Sequence, residues 1–590
     1  MNLKAVLLTA VCALSLQGCN ESTPITEEDK LGQLFKDEWS NRLQENPLAA
    51  TSYGLREYND RLQSVSPADH ARRTGQDKRF LARLGAIPRD TLTVEEQLNY
   101  DLFQFVMNNR VKTAEYKPWR IPFLSDSGFH TWIVRISENM PFKTVEDYDN
   151  YIARLNAIPA YFAQQTANMK QGLQDGFSMP RIILDNVEPT FSAQIVENVE
   201  ESAFYKPFTR LPDHFSDDDK ARLIAAGAGA VEGAVVPAYR DLHAFFKNDY
   251  MPNTRKTIGA KHLPDGDNYY RHLVKYYTTL DVSPEEVHET GLREVARIRQ
   301  EMEAVMEKVE FDGNFLQFLR FMRTDKRFYV DTPEQLLKEA SFIAKKIDGQ
   351  LPAFFNKLPR QPYGVRAVPD DIAPNYTTGR YWGAPKGGKR GGLYMVNTYA
   401  LDKRPLYNLP ALTLHEGMPG HHLQNALSAE LENVPEFRKS LYPHAFGEGW
   451  GLYAETLGKD MGLYDDPYAE FGRLTYEMWR AGRLVVDTGM HYMDWSRRDA
   501  FVLFMKNSAL SFHNIDTEVD RYISWPGQAL AYKMGELKIH ELRKYANDEL
   551  GTDFDVRDFH DAVLANGGVT LPILDAKIRS FVKDKKAAQK

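Results

Sequence analysis

Thr413-Leu-His-Glu-Gly-Met-Pro-Gly-His-His-Leu-Gln424 packs three imidazoles and a carboxylate into eight residues, a set with few structural uses. Neutral imidazole and carboxylate are the ligands of hydrolytic zinc sites, where a neighbouring glutamate carries the proton. The stretch reads as half of such a site, with His415 as first ligand and Glu416 as general base. The second ligand is harder to place. The familiar zinc-peptidase spacing sets two histidines four apart on one helix face. At about 100° per residue, His415 and His421 would fall roughly 120° apart around a straight helix, and His415 and His422 about 10 Å apart along it. Nitrogens held about 2.0 to 2.1 Å from zinc allow neither pair. Pro419 deletes an N–H and clashes with the carbonyl four residues back, while Gly420 accepts unusual torsions. A local bulge is therefore expected to bring His421, or else His422, beside His415. The competing reading is a polar surface loop that contains histidines.

A third ligand must come from another element. Phe446-Gly-Glu-Gly-Trp-Gly-Leu-Tyr-Ala-Glu455 reads as a helix with Glu448 and Glu455 seven apart on one face among bulky apolar neighbours. Gly449 and Gly451 each cost a helix about 1 kcal/mol relative to alanine, which a closely packed second backbone explains. Glu448 is the chosen ligand, and Glu455 the partner that holds a histidine N–H. A solvated or salt-bridged pair of glutamates is the alternative. In Arg480 to His491, Arg483, Asp487 and His491 recur every four residues on one helix face. They either line the cleft, with Asp487 and His491 supporting the metal site, or form an ordinary ion pair beside a core histidine. Arg521 to Gly535 is a loop punctuated by Pro526-Gly527 that runs into a helix. Tyr532 there can donate its hydroxyl to a developing oxyanion, although a lone tyrosine on an apolar helix is more often packing.

The elements that must position these groups are mostly helical. Apolar residues recur at three and four over Thr26–Asn46, Arg73–Leu84, Val94–Asn109, Val145–Leu173, Asp217–Asn248, Pro284–Val309 and Pro333–Ile347. The clearest strand is Gly391 to Thr398, behind a Gly-, Lys- and Arg-rich turn from Pro385 to Arg390. As an exposed edge it would take an extended peptide by main-chain hydrogen bonds, with Tyr394 and Asn397 as substrate contacts. As part of a small structural sheet it would not. The expected fold is mainly α, with a small β-sheet beside the active-site helix.

With 590 residues, 43% of them hydrophobic, the chain can bury a large core, and its net charge of −8, mixed along the sequence, offers no nucleic acid a basic surface. Its two cysteines, Cys12 and Cys19, leave the body without disulfides or thiolate ligands. Lys4 and the apolar run Ala5 to Leu16 read as an export signal over residues 1–18. Leu16-Gln-Gly-Cys19 resembles a bacterial lipobox, which implies cleavage before Cys19 and a diacylglycerol on its sulfur. Residues 19–25 would then be a lipidated tether and 26–590 a single helical domain. Asn20 is not the inner-membrane retention aspartate, so an outer-membrane lipoprotein facing the periplasm is expected.

Taken together, the three segments resemble the bacterial family known as domain of unknown function 885, over nearly the whole mature chain. They also resemble, more distantly, glutamate-zinc peptidases such as thimet oligopeptidase, angiotensin-converting enzyme and the Taq-type carboxypeptidase. The resemblance implies a helical body split by a deep channel that admits short peptides. It implies Zn2+ on His415, His421 and Glu448, Glu416 as base, and Tyr532, within a Gly527, Tyr532, Gly535 pattern, on the transition state. Two features depart from that pattern: two extra residues stand between Glu416 and Gly420, and Gln528 replaces an additional tyrosine. Gln528 and Arg521 remain candidate substrate contacts, and Arg380, Lys386, Lys389, Arg390 and Arg521 are candidates for gripping a terminal carboxylate. A non-catalytic metal- or peptide-binding lipoprotein is the first alternative, and a hydrolase of esters or other amides the second.

Overall fold

The computed structural model describes residues 26–370, 372–384 and 390–588. The export signal, the tether with Cys19, and Lys386 and Lys389 lie outside the described residues.

Among the described residues the chain is a helical body with one small sheet. Helices begin where side chains can satisfy their first N–H groups. Capping boxes formed by Thr26 with Asp29, Thr93 with Glu96, Thr144 with Asp147, Ser283 with Glu286 and Thr332 with Gln335 open helices Glu27–Glu45, Val94–Glu115, Val145–Asp175, Pro284–Lys308 and Pro333–Asp348. The helix expected from Arg73 starts earlier, at Pro67, because Ser66 accepts from the Asp69 N–H and Pro67 suits the first turn. From Asp217 to Asn253 the chain is helical throughout, with π turns at Val231–Val235 and Phe246–Tyr250. That segment is long and apolar enough to cross a membrane by composition. Its apolar stripe is spent on the core instead: Leu223, Val231, Val235, Tyr239, Leu242, Phe246 and Tyr250 are at most 2% exposed. One hydrophobic cluster runs from Leu31 to Val582 and joins the N-terminal helices to those that carry the site.

The small sheet expected beside the histidine helix is present, and its strand order decides between the two readings of Gly391 to Thr398. Its strands, β1 (Tyr363–Ala367), β2 (Gly379–Trp382) and β3 (Gly392–Val396), lie in the order β1-β3-β2, with β1 parallel and β2 antiparallel to β3. β3 is therefore the central strand, as the structural-sheet reading has it, and not an exposed edge. Tyr394 and Asn397 are fully buried. Tyr394 accepts from the Thr413 hydroxyl at 3.4 Å, and the Asn397 amide donates to the carbonyls of Ala373, Tyr376 and Thr377 at 2.9 to 3.1 Å. Both organise the neighbouring turns, and neither can meet a substrate. β1 and β2 are too short and too mixed to announce themselves, which is why the sequence left the place of β3 in a sheet open.

Candidate metal centre

The chain carrying the histidines breaks cleanly. One helix, Leu409–Glu416, ends at the glutamate; residues 417–420 turn, with a cis Met418–Pro419 peptide; a second helix, His421–Ala429, starts on the histidine. A change of helix, and not a bulge within one, brings the His415 and His421 rings to 4.8 Å between centroids at 88°. Helix His444–Leu457 supplies Glu448, whose Oε2 lies 3.8 Å from His415 Nε2 and 3.4 Å from His421 Nε2. Ligands about 2.0 to 2.1 Å from a tetrahedral ion stand roughly 3.4 Å from each other. Among the described residues this is the one His/Cys/Asp/Glu group whose donor atoms converge this way, all within 4.8 Å.

Packing fixes the convergence. Trp450 donates its indole N–H to the Pro419 carbonyl at 2.8 Å, tying the turn to the glutamate helix. Gly451 lies under the His415 imidazole, where a Cβ would come within 2.9 Å of Cε1 and Nε2. Gly449 meets the backbone of Gly535 on helix Ala531–Leu550, and a Cβ on Gly535 would run into the Ala445 carbonyl oxygen. The two glycines thus let the helices bearing Glu448 and Tyr532 touch backbone to backbone. Glu455 accepts from His415 Nδ1 at 2.8 Å, which turns Nε2 toward the cluster, and Arg480 stands 3.4 Å from the same carboxylate oxygen.

The electrostatics suit a cation. Burial disfavours the charged His415 imidazolium, yet the carboxylates of Glu448 and Glu455 outweigh it and hold the pKa up at about 9. Burial likewise opposes ionisation of Glu448, but His415 and His421 keep its carboxyl well below the usual range. Positive charge is stabilised where the three donors meet, which fits a divalent ion on this set.

Around the cluster, Glu416 accepts the Tyr381 backbone N–H at 2.7 Å, so β2 presents its outer edge to that carboxylate. The Tyr532 ring lies 6.4 Å from His415 at 23°, with the Arg483 guanidinium 4.3 Å from the Tyr532 ring centre. Arg521 donates to the Gln528 side-chain oxygen at 2.8 Å, and both Arg521 and Arg483 reach Glu518, at 3.2 and 3.1 Å. Gln528 is thus engaged with Arg521. Of the described basic candidates, Arg380 and Arg521 interact electrostatically with Tyr532, whereas Arg390 is exposed and donates to the Gly391 carbonyl.

Three other candidates lie elsewhere. His422 spends both ring nitrogens on the Tyr381 hydroxyl at 3.2 Å and the Gln361 carbonyl at 2.9 Å, so it is not a ligand. His491 accepts from the Ala260 N–H at 3.1 Å and donates to the Tyr522 carbonyl at 2.9 Å. Asp487 accepts from the Tyr270 hydroxyl at 2.6 Å and the Gly527 N–H at 3.0 Å, anchoring the Pro526-Gly527 turn. Helical periodicity showed that these residues share a face but not that the face meets another helix in the core.

Buried imidazoles of this kind make stability depend on pH. Burial lowers His130, His491 and His560 to about 3. His560, like His491, is locked neutral: it donates to the Phe354 carbonyl at 2.9 Å and accepts from the Tyr453 hydroxyl at 2.7 Å. Each takes a proton more readily unfolded, near 6.5. Their contribution is complete above about pH 6.5 and is lost as the pH falls toward 3. Burial raises Asp487 to about 7, so its contribution runs the other way over the same window, one group against three. The urea midpoint is expected to fall steadily from pH 6.5 to pH 4; a flat or rising midpoint contradicts this.

Sequence reasoning missed Tyr442. Its ring lies against Gly447, beside Glu448, and burial of its hydroxyl end together with the carboxylates of Glu448 and Glu416 pushes its pKa well above the usual tyrosine value. The one hint was Gly447, where a Cβ would enter the Tyr442 ring.

Among solved structures, the chain is similar to a protein described as a lipoprotein from Colwellia psychrerythraea, 26% identical over 95% of this chain and 100% of that one, with a TM-score of 0.88. It shares its fold with a protein from Shewanella oneidensis, described as a lipoprotein of unknown function, at 17% identity, a TM-score of 0.71 and coverage of 93% and 99%. No curated protein matches it. The family model for bacterial proteins of unknown function DUF885 matches residues 47–578, most of the chain, and the protein belongs to that family.

Proposed function

We propose that the protein is a zinc-dependent peptidase of the cell envelope that cleaves short peptides. The observation that carries this is the convergence of His415, His421 and Glu448 directly beside Glu416. A structural zinc site closes with a fourth protein ligand and needs no neighbouring base, whereas a catalytic one keeps a position open. His415, His421 and Glu448 would hold the ion, and zinc in such a site lowers the pKa of water and polarises a carbonyl. The chain's own groups do the rest. Glu416, fixed by the Tyr381 N–H at 2.7 Å, takes the proton of the attacking water and returns it to the leaving amine. Tyr532, whose ring lies 6.4 Å from that of His415, offers its hydroxyl to the oxyanion. The outer edge of β2 is suited to an extended backbone, and Arg380 and Arg521 place positive charge near Tyr532 for a carboxylate of the substrate.

The lipobox ending at Cys19 and the descriptions of the Colwellia and Shewanella proteins support a lipid anchor in the envelope, with the outer membrane facing the periplasm as the preferred site. The test is to load the purified mature protein with zinc, incubate it with a random peptide mixture and map new ends by mass spectrometry. Zinc near one per chain and new peptide ends are expected. In the variants, His421→Ala should lose the metal and His422→Ala keep it. Full zinc occupancy without new ends would leave a metal-binding lipoprotein, and iron or manganese at full occupancy would change the ion.

A further inference from the structure

A cavity of about 570 Å³ lies between the N-terminal helices and the segment that leads into the glutamate helix. Two of its wall residues also adjoin the His/Glu cluster: the Tyr442 ring packs against Gly447, the neighbour of Glu448, and His444 opens the helix that carries Glu448 one turn further on. The space is thus next to the reacting centre of the proposed peptidase, on which this inference rests.

Its charges are not all matched. Arg110 is 2.7 Å from Glu38 and 3.5 Å from Asp77. Arg73 is 3.4 Å from Glu45 and donates to the Ser64 carbonyl at 2.8 Å. Arg42, which also lines the cavity, has no ion pair or hydrogen bond among the described residues, and its guanidinium rests 5.4 Å from the Trp39 ring centre. Burial and the nearby Arg110 hold its pKa below the ordinary arginine value, although Glu38 acts in its favour. A guanidinium that lines the cavity without a protein acceptor is available to pair with an incoming anion. The walls suit the carbon chain behind such an anion. Phe105 stacks with Tyr276 at 6.4 Å and 12°, and Trp119 with His70 at 4.2 Å and 7°.

We propose that this cavity is a substrate subsite for a carboxylate-bearing part of the peptide, with Arg42 as its charge partner and Phe105, Trp119 and Tyr276 around its aliphatic portion. The carboxylate can come from an Asp or Glu side chain or from the C-terminus.

The experiment uses alanine pentapeptides with one Glu, or one Gln, walked through the five positions, each with a free or an amidated C-terminus. They are assayed with the zinc-loaded mature protein and with Arg42→Gln and Arg42→Lys. In wild type, one Glu position or the free C-terminus should raise kcat/KM at least about tenfold over its neutral counterpart, the effect of one charge-assisted hydrogen bond. Arg42→Gln should abolish the preference through KM while leaving neutral peptides unaffected, and Arg42→Lys should restore part of it. A preference lost on amidation identifies the terminus as the occupant, and one that survives identifies the side chain. Calorimetry of the same peptides on metal-free Glu416→Gln protein reads binding without turnover. Binding preference without cleavage sustains the subsite and removes the peptidase reading. Cleavage with no charge preference, or a preference intact in Arg42→Gln, overturns the subsite alone.

Discussion

Glu416→Gln should lower kcat for peptide cleavage by about 10² to 10⁴-fold, the usual contribution of a positioned general base, while zinc content stays at the wild-type level. The substitution is nearly isosteric, and the amide oxygen of glutamine can still accept the Tyr381 N–H that holds the carboxylate at 2.7 Å. The side chain keeps its place and loses only its capacity to take a proton. None of the three converging donors is altered, so metal affinity has no reason to change. Parallel elemental analysis and single-turnover kinetics give the decision. Turnover within a few-fold of wild type at equal zinc would mean that the proton is carried by another group. Loss of zinc together with activity would mean that Glu416 serves the metal and not the water.

The second large effect is on stability. At Gly535→Ala the added methyl meets backbone on the opposite helix, the Ala445 carbonyl oxygen and, at 2.8 Å, the Gly449 Cα, so no side-chain rotation can relieve it. Overpacking of this kind costs roughly 3 kcal/mol at the upper end of its usual range, against a helix-propensity gain of about 1 kcal/mol. A clear drop in the urea midpoint is expected. Because the two helices carry Glu448 and Tyr532, zinc affinity should fall with it. Gly229→Ala is the control: that helical glycine has nothing within 4 Å of a Cβ, and the change should be neutral or stabilising. Equal midpoints for the two variants would show that the backbone contact is not what holds these helices together.

How far the site could be read in advance depended on the kind of signal. The helices were legible because apolar spacing and capping side chains are local, and the Thr26 and Thr93 caps fall where the patterns begin. The convergence of His415, His421 and Glu448 was legible from residue type, since these residues, Glu416 and Glu455 sit in short dense runs and the glycines beside them point to close packing. Long-range contact was not legible. Whether β3 was an edge or a centre stayed open because β1 and β2 lack a strand's alternation, and Asp487 and His491 shared a helix face whose partner, Tyr270, lies far off in the sequence. Tyr442 was signalled only indirectly, by the glycine at 447 on which its ring packs, since its place beside Glu448 is set by the loop that delivers it.

The turn between the two histidine-bearing helices has an implication for how such proteins are recognised. When both ligands sit on one helix, their separation in sequence is set by the helical repeat. Here each imidazole hangs from the end of a different helix, and the spacer is held from outside by the Trp450 indole on the Pro419 carbonyl. The number of intervening residues is therefore not set by the helical repeat. Genome scans keyed to a four-residue register will pass over chains of this design, and a scan keyed to helix ends facing a glycine-rich partner would retrieve them.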